Sequence, residues 1–145
     1  MSRATRTMAA LILVLVPTIE YGGYFLLKSL LDPNSHYMDN PLHENFERAG
    51  HAHAGVIIIL SLVVQILADY ATLPAFLLWL VRLAMPIAAI LVSAGFFLSV
   101  IGPFANHPYQ MVPLIYAGAC LLASAVLLLA IGLLRAPRKS QAVGQ

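Results

Sequence analysis

Two histidines stand one residue apart where a charged segment becomes an apolar one, in FERAGHAHAGVIIILSLVV (residues 46–64). If this segment is helical, His51 and His53 are separated by about 200° around the helix axis, because each residue turns by about 100°. A single metal ion therefore cannot take both imidazoles from one helix. The spacing predicts that the two histidines have separate environments.

His51 shares a helix face with Glu47, one turn earlier. This (i, i+4) spacing favours a contact between the imidazole and the carboxylate at the start of the apolar run. The spacing therefore gives His51 a structural role.

His53 follows the small residues Ala49 and Gly50 by one turn and precedes Val56 and Ile57 by one turn. A flat cofactor could lie against Ala49 and Gly50 with Ile57 around its deeper part, and a neutral imidazole is a common axial ligand of haem iron. The same small residues would equally allow a second helix to pack closely, with His53 bonded across to that helix. The spacing leaves both interpretations open.

Glu20 lies about halfway along another apolar segment, in PTIEYGGYF. Ionisable residues at such a depth in a membrane are costly, usually face the protein interior and often mark functional sites. Tyr24 follows one turn later, so Glu20 and Tyr24 are the candidate catalytic residues. Glu20 is expected within about two turns of the depth of His53, so the two could line one cavity. The alternative is a protonated Glu20 bonded to a backbone carbonyl group.

The elements that must hold these residues are membrane helices. The chain has 145 residues, of which 61% are hydrophobic and 10% are charged, whereas soluble domains carry roughly a quarter charged residues. Residues 83–134 include no Lys, Arg, Asp or Glu. Because about 20 apolar residues cross a bilayer, this stretch must hold two spans.

The whole pattern predicts an all-α integral membrane protein, a four-helix bundle in a single domain. The predicted spans cover about residues 7–31, 47–68, 74–101 and 111–134, and residues 135–145 form a predicted cytoplasmic tail. The second helix is expected to begin before its span, near Pro41, because Asn40 is a good cap and proline suits the first helical position.

Basic residues flank both ends of the apolar region, with Arg3 and Arg6 before it and Arg135 after it. The positive-inside rule therefore predicts cytoplasmic termini, in a plasma membrane of the bacterial type. Asp69 and Arg82 would lie towards the cytoplasmic end of the bundle, where either snorkelling of the side chains or a pair between them is expected. The net charge of +2 without a large basic cluster excludes nucleic acid as a partner. The expected partners are the lipid bilayer, a small apolar ligand and further copies of the chain.

The segments RAGHAHAG and GFFLSVIGPFAN resemble those of the styrene oxide isomerase family, small membrane enzymes with four spans. The resemblance implies a trimeric four-helix protein that binds haem b. In that family the ferric iron acts as a Lewis acid towards an epoxide oxygen and promotes isomerisation to a carbonyl compound. The resemblance assigns the axial metal ligand to His53 and brings Phe97, from the third span, to the cofactor.

Three polar residues of the family are missing from this chain. Ile59 or a neighbour stands where the family has an asparagine, Phe97 where it has a tyrosine, and Ala89 near the position of an aspartate. Because these groups would position an epoxide, the resemblance implies haem binding more strongly than isomerase activity.

Two other functional classes stay open. One is a transport or proton-handling protein in which Glu20 titrates within the membrane, and four spans would then require oligomerisation. The other is a non-catalytic membrane subunit of a larger complex.

Overall fold

Four long helices make up most of the computed structural model, which describes residues 1–102, 105–108 and 110–136. They are α1 (Arg3–Leu31), α2 (Pro41–Leu67), α3 (Ala75–Leu98) and α4 (Val112–Leu134), and two short 3₁₀ turns link α1 to α2. Each helix is long and apolar enough to cross a membrane. The chain is therefore an all-α four-helix membrane protein, as its composition predicts. Most of the predicted tail, residues 137–145, lies outside the described residues.

Capping groups set where α1 and α2 begin. The side-chain oxygen of Asn40 accepts hydrogen bonds from the amides of Leu42 and His43, and Pro41 is the first residue of α2. The start expected for this helix is confirmed. α1 begins at Arg3, four residues before the predicted span, because the hydroxyl of Ser2 accepts a bond from the amide of Thr5 and so satisfies a free helix donor.

The helices pack mainly in chain order, with α1 on α2, α2 on α3 and α3 on α4. One apolar cluster joins α2, α3 and α4 through residues such as Val64, Met85 and Leu129. A second cluster brings Ile12 of α1 against Ile57 of α2 and Val92 of α3. The buried residues of α1 are Thr5, Met8 and Ile12, so most of the α1 surface is left uncovered within one protomer.

A hydrogen-bonded network joins three helices at the end of the bundle that holds Asp69. Arg82 donates to Asp69 at 2.8 Å, to the Thr5 hydroxyl at 2.8 Å and to the side-chain oxygen of Gln65 at 3.1 Å. The amide nitrogen of Gln65 donates in return to the Arg82 carbonyl at 3.0 Å. Of the two alternatives predicted for Asp69 and Arg82, the pair is confirmed. The buried guanidinium group has several partners, and these hydrogen bonds offset the free-energy cost of burying its charge within the membrane. The role of Arg82 is therefore structural.

Candidate functional site around His53

His53 lies on the outer surface of α2 with its imidazole exposed. Its Nδ1 is 2.7 Å from the carbonyl oxygen of Ala49, one turn earlier. A carbonyl oxygen only accepts hydrogen bonds, so Nδ1 carries the proton and donates it, and Nε2 keeps a free lone pair. This is the tautomer in which a histidine binds a metal through Nε2.

Phe96 of α3 packs against the His53 ring. The ring centroids of His53 and Phe96 are 5.1 Å apart with planes inclined by 31°. Phe96 in turn meets Phe46 edge to face, with centroids 5.5 Å apart. Because Phe96 belongs to α3, both α2 and α3 position the imidazole. Sequence reasoning missed Phe46, although Phe46 precedes His53 by seven residues, two helical turns on the same face.

Gly50 is buried, and α3 fills the space beside it. A Cβ atom at Gly50 would lie 3.0 Å from Cβ of Phe96 and 3.0 Å from Cδ2 and Cε2 of Phe97. Gly50 and Phe97 thus form a close helix contact, which is one of the two interpretations that the spacing left open. This face of α2 has no room for a cofactor.

The remaining residues expected near a cofactor are divided between two environments. Ala49 is half-buried and contacts His53 through its carbonyl oxygen. Ile57 is buried in the cluster with Ile12. The exposed neighbours of His53 on α2 are instead Ala52 and Val56. A flat group bound by His53 would therefore lie on the outside of the protomer.

These features fit a haem held by one histidine on an apolar outer surface. The bond from Nδ1 to Ala49 fixes the tautomer, and Phe96 limits rotation of the ring. Among the described residues, no three His, Cys, Asp or Glu side chains gather into a site for a bare metal ion. A single histidine is sufficient for haem, because the porphyrin supplies the other four ligands.

His51 lies on a different side of α2, against α1. A Cβ atom at Gly23 would be 3.2 Å from Cε1 of His51, so the glycine makes room for the ring. The separate environments expected for His51 and His53 are confirmed. The expected contact with Glu47 is wrong, because Glu47 lies 3.4 Å from Nδ1 of His43 instead. His43 is one turn before Glu47, whereas the His51 ring is directed towards α1.

Glu20 and Tyr24 both lie exposed on α1. Within the part of the chain that the structure describes, the Glu20 carboxyl group makes no hydrogen bond or ion pair. The Tyr24 ring packs near Tyr21, with centroids 6.4 Å apart. Neither candidate catalytic residue forms a hydrogen bond with His53 inside one protomer, as far as the described residues extend.

Tyr37 anchors the connection between α1 and α2, close to the start of α2. Its hydroxyl donates to the Glu44 carbonyl at 3.4 Å, and its ring meets the His43 ring edge to face. Burial and, to a smaller extent, the charges of Glu47 and Glu44 raise the pKa of the Tyr37 phenol. Tyr37 is therefore a neutral donor that fastens this connection to α2.

Comparisons of the chain with protein-family models, with curated proteins and with solved structures find no match. The geometry of the His53 surface is the remaining guide to function.

Proposed function

We propose that the protein is a membrane haem protein that binds haem b through His53 and isomerises small apolar epoxides. The observation that carries the proposal is the 2.7 Å bond between Nδ1 of His53 and the Ala49 carbonyl oxygen, on an exposed imidazole. This bond leaves Nε2 free as a ligand. The motif resemblance supplies the nature of the cofactor, the reaction and a trimeric assembly.

The roles of the residues follow from their positions. His53 would be the axial ligand, Phe96 would hold its ring, and Ala52 and Val56 would contact the porphyrin. Bound ferric haem would supply a Lewis acid. Val56 and Ile59 are 66% and 65% exposed, and such side chains keep the surface free of water and open to an apolar substrate that enters from the lipid.

Positioning of an epoxide would require polar groups that the described neighbours of His53 do not supply. Ile59, Phe97 and Ala89, at or near the positions of polar family residues, have purely hydrocarbon side chains. Glu20 and Tyr24 are exposed on α1 and are the candidate groups that would hydrogen-bond the epoxide oxygen.

Absorption spectra of the detergent-purified protein, before and after the addition of haemin, test the proposal. We expect a Soret band in the wild type and in His51→Ala, which is the matched control, and loss of the band in His53→Ala. An identical band in all three proteins would contradict the assignment of the ligand. Conversion of an aryl epoxide to an aldehyde by the loaded protein, followed by gas chromatography, tests the isomerase activity separately.

A proton or small-solute transport function through Glu20 is the second candidate. It is favoured by a carboxyl group about halfway along α1 that is exposed and, among the described residues, has no partner. Proteoliposomes that hold wild type or Glu20→Gln should then differ in proton flux under an imposed pH gradient. Equal fluxes would remove this candidate.

A further inference from the structure

A cleft of about 400 Å³ opens between α1 and α2, at the end of this helix pair that lies away from Asp69. Sites for small molecules have volumes of about 300–1,000 Å³. The α1 wall of the cleft is apolar and includes Leu26, Leu27 and Leu30, whereas the α2 wall is polar. The described residues that contact His53 do not line this cleft. It is therefore a separate site.

His51 lies at the end of the cleft that is deepest along α2. A Cβ atom at Gly23 would be 3.3 Å from Nε2 of His51, and because Gly23 also lines the cleft, this side of the ring borders the cavity. Over the described ranges of the chain, the His51 ring makes no hydrogen bond. An imidazole carries at least one N–H donor, and an unpaired donor in apolar surroundings costs free energy. A ligand that accepts a hydrogen bond from His51 would remove this cost.

Arg48 offers a second donor, one helical turn nearer the start of α2. Residues three apart on a helix are neighbours, with Cβ atoms about 5–6 Å apart, so Arg48 and His51 belong to one wall. Nη1 of Arg48 donates to Oε1 of Glu44 at 2.7 Å, and the guanidinium group keeps further N–H donors for a ligand. The α2 wall thus presents two hydrogen-bond donors on neighbouring turns.

The charges that line the cleft cancel one another. Arg48 is paired with Glu44, whose side chain is 19% exposed. Tyr37 also lines the cleft, and burial raises the pKa of its phenol, which keeps this group neutral. A carboxylate or phosphate ligand would be attracted by Arg48 but repelled by Glu44. The electrostatics of the cleft therefore favour a neutral ligand.

We infer that this cleft binds a membrane-soluble quinone. A quinone is neutral, and its flat ring bears two carbonyl oxygens on opposite sides, which can accept hydrogen bonds from His51 and Arg48. Its ring and hydrocarbon tail would pack on the α1 wall, where Leu27 and Leu30 are 54% and 50% exposed and lead outwards to the lipid. Binding at this site does not depend on haem at His53.

Calorimetric titration of the protein in lipid nanodiscs with a decyl-substituted benzoquinone tests the site, with empty nanodiscs as the blank. We expect saturable binding to the wild type and a Kd about three- to ten-fold higher in His51→Leu, because one hydrogen bond is lost. His51→Gln keeps a donor and should recover most of the affinity. His36→Asn is the matched control, since His36 lies outside the cleft in a left-handed conformation that asparagine tolerates. Its Kd should stay within about two-fold of the wild type, less than one hydrogen bond contributes.

Arg48→Met removes the second donor at an exposed position, so it tests the site even if the His51 variants fail to fold. Its Kd should rise by a factor similar to that of His51→Leu. Equal Kd values in the wild type, His51→Leu and Arg48→Met would overturn the inference. An absence of saturable binding to the wild type would do the same and leave water as the occupant of the cleft.

Competition experiments define the chemistry of the ligand. Neither dodecane, which has no oxygen, nor decanoate, which is an anion, should displace the benzoquinone probe. Displacement by dodecane would show a crevice for any hydrocarbon chain, and displacement by decanoate would show an anion site. Either result would contradict recognition of a neutral carbonyl compound.

The quinone site and the haem site can fail independently. Quinone binding that depends on His51, in a protein that never shows a Soret band, would remove haem binding and leave the quinone site. A Soret band that depends on His53, without saturable quinone binding, would give the reverse result.

Discussion

Arg82 donates a hydrogen bond of 2.8 Å to Asp69, two residues beyond the end of α2. The same carboxylate accepts from the Thr5 hydroxyl at 2.6 Å and from the Ser2 amide at 2.8 Å. One carboxylate and one guanidinium group therefore join α1, α2 and α3. Trp79, the single tryptophan of the chain, lines a cavity of about 280 Å³ beside this pair and is a natural probe of it.

We expect Arg82→Met to destabilise the protein by about 3–5 kcal/mol, because it leaves Asp69 and Gln65 without their shared donor. Unfolding in detergent, followed by Trp79 fluorescence, measures the change. Arg48→Met is the control, since the Arg48 side chain is 67% exposed in its pair with Glu44 and should change stability by less than about 1 kcal/mol. A similar loss of unfolding free energy in both variants would contradict a stabilising role of the Arg82 network.

Acid should weaken the wild type only at low pH, through Asp69. Burial alone would raise the pKa of this carboxyl group, but hydrogen bonds from Thr5, Ser2 and Arg82 outweigh burial and hold the pKa well below its ordinary value of 3.8. A carboxyl group whose pKa is lower in the folded state than in the unfolded state stabilises the folded protein at pH values above the unfolded-state pKa. This contribution is lost as the pH falls towards the pKa of the folded state.

The melting temperature of the wild type between pH 7 and pH 2 should therefore fall steeply only below about pH 4. Asp69→Asn should be less stable at neutral pH and should lose most of this acid-dependent fall. An equally steep fall in both proteins would assign the acid sensitivity to other carboxyl groups.

Gly50→Ala should weaken the contact of α2 with α3. The added Cβ would lie 3.0 Å from Phe96 and Phe97, so α3 must shift, at a cost of about 1–3 kcal/mol. Gly55→Ala is the matched control on the same helix, because a Cβ there meets nothing within 4 Å. It should be neutral or stabilising by up to about 1 kcal/mol. Unfolding midpoints in detergent compare the two, and equal effects would refute close packing at Gly50.

Phe96→Ala should weaken haem binding, because it removes the ring that supports His53. An aromatic contact of this kind contributes about 0.5–1.5 kcal/mol, so haemin titration should give a Kd about two- to ten-fold higher. Phe76→Ala is the control, since Phe76 is 75% exposed on α3 and lies far along the helix from Phe96. A Kd that changes equally in both variants would exclude a specific support of His53.

The boundaries of α2 and the separation of its histidines could be predicted from the sequence. The start of α2 depends on Asn40 and Pro41, which act within one turn of the chain. The angle between His51 and His53 depends only on helix geometry. Such features are local, so residues close in sequence are sufficient to predict them.

The surroundings of the two histidines could not be predicted in the same way. The sequence allowed either a cofactor or a second helix beside Gly50. In the structure, Phe96 and Phe97 of α3 fill the space next to this glycine. Glu47 had a histidine one turn away on each side, and it pairs with His43 because His51 is turned against Gly23 of α1. Both outcomes depend on residues far away in the chain.

The sequence by itself determined four membrane helices, because a chain so apolar must satisfy its backbone hydrogen bonds within helices when it crosses lipid. Only the tertiary structure decided that His53 and Glu20 are both exposed, whereas His51 lies against Gly23 of α1. The physical reason is that helix propensity and hydrophobicity act along each segment. The surface that a helix leaves uncovered depends instead on which other helices pack against it, through contacts between side chains distant in the sequence.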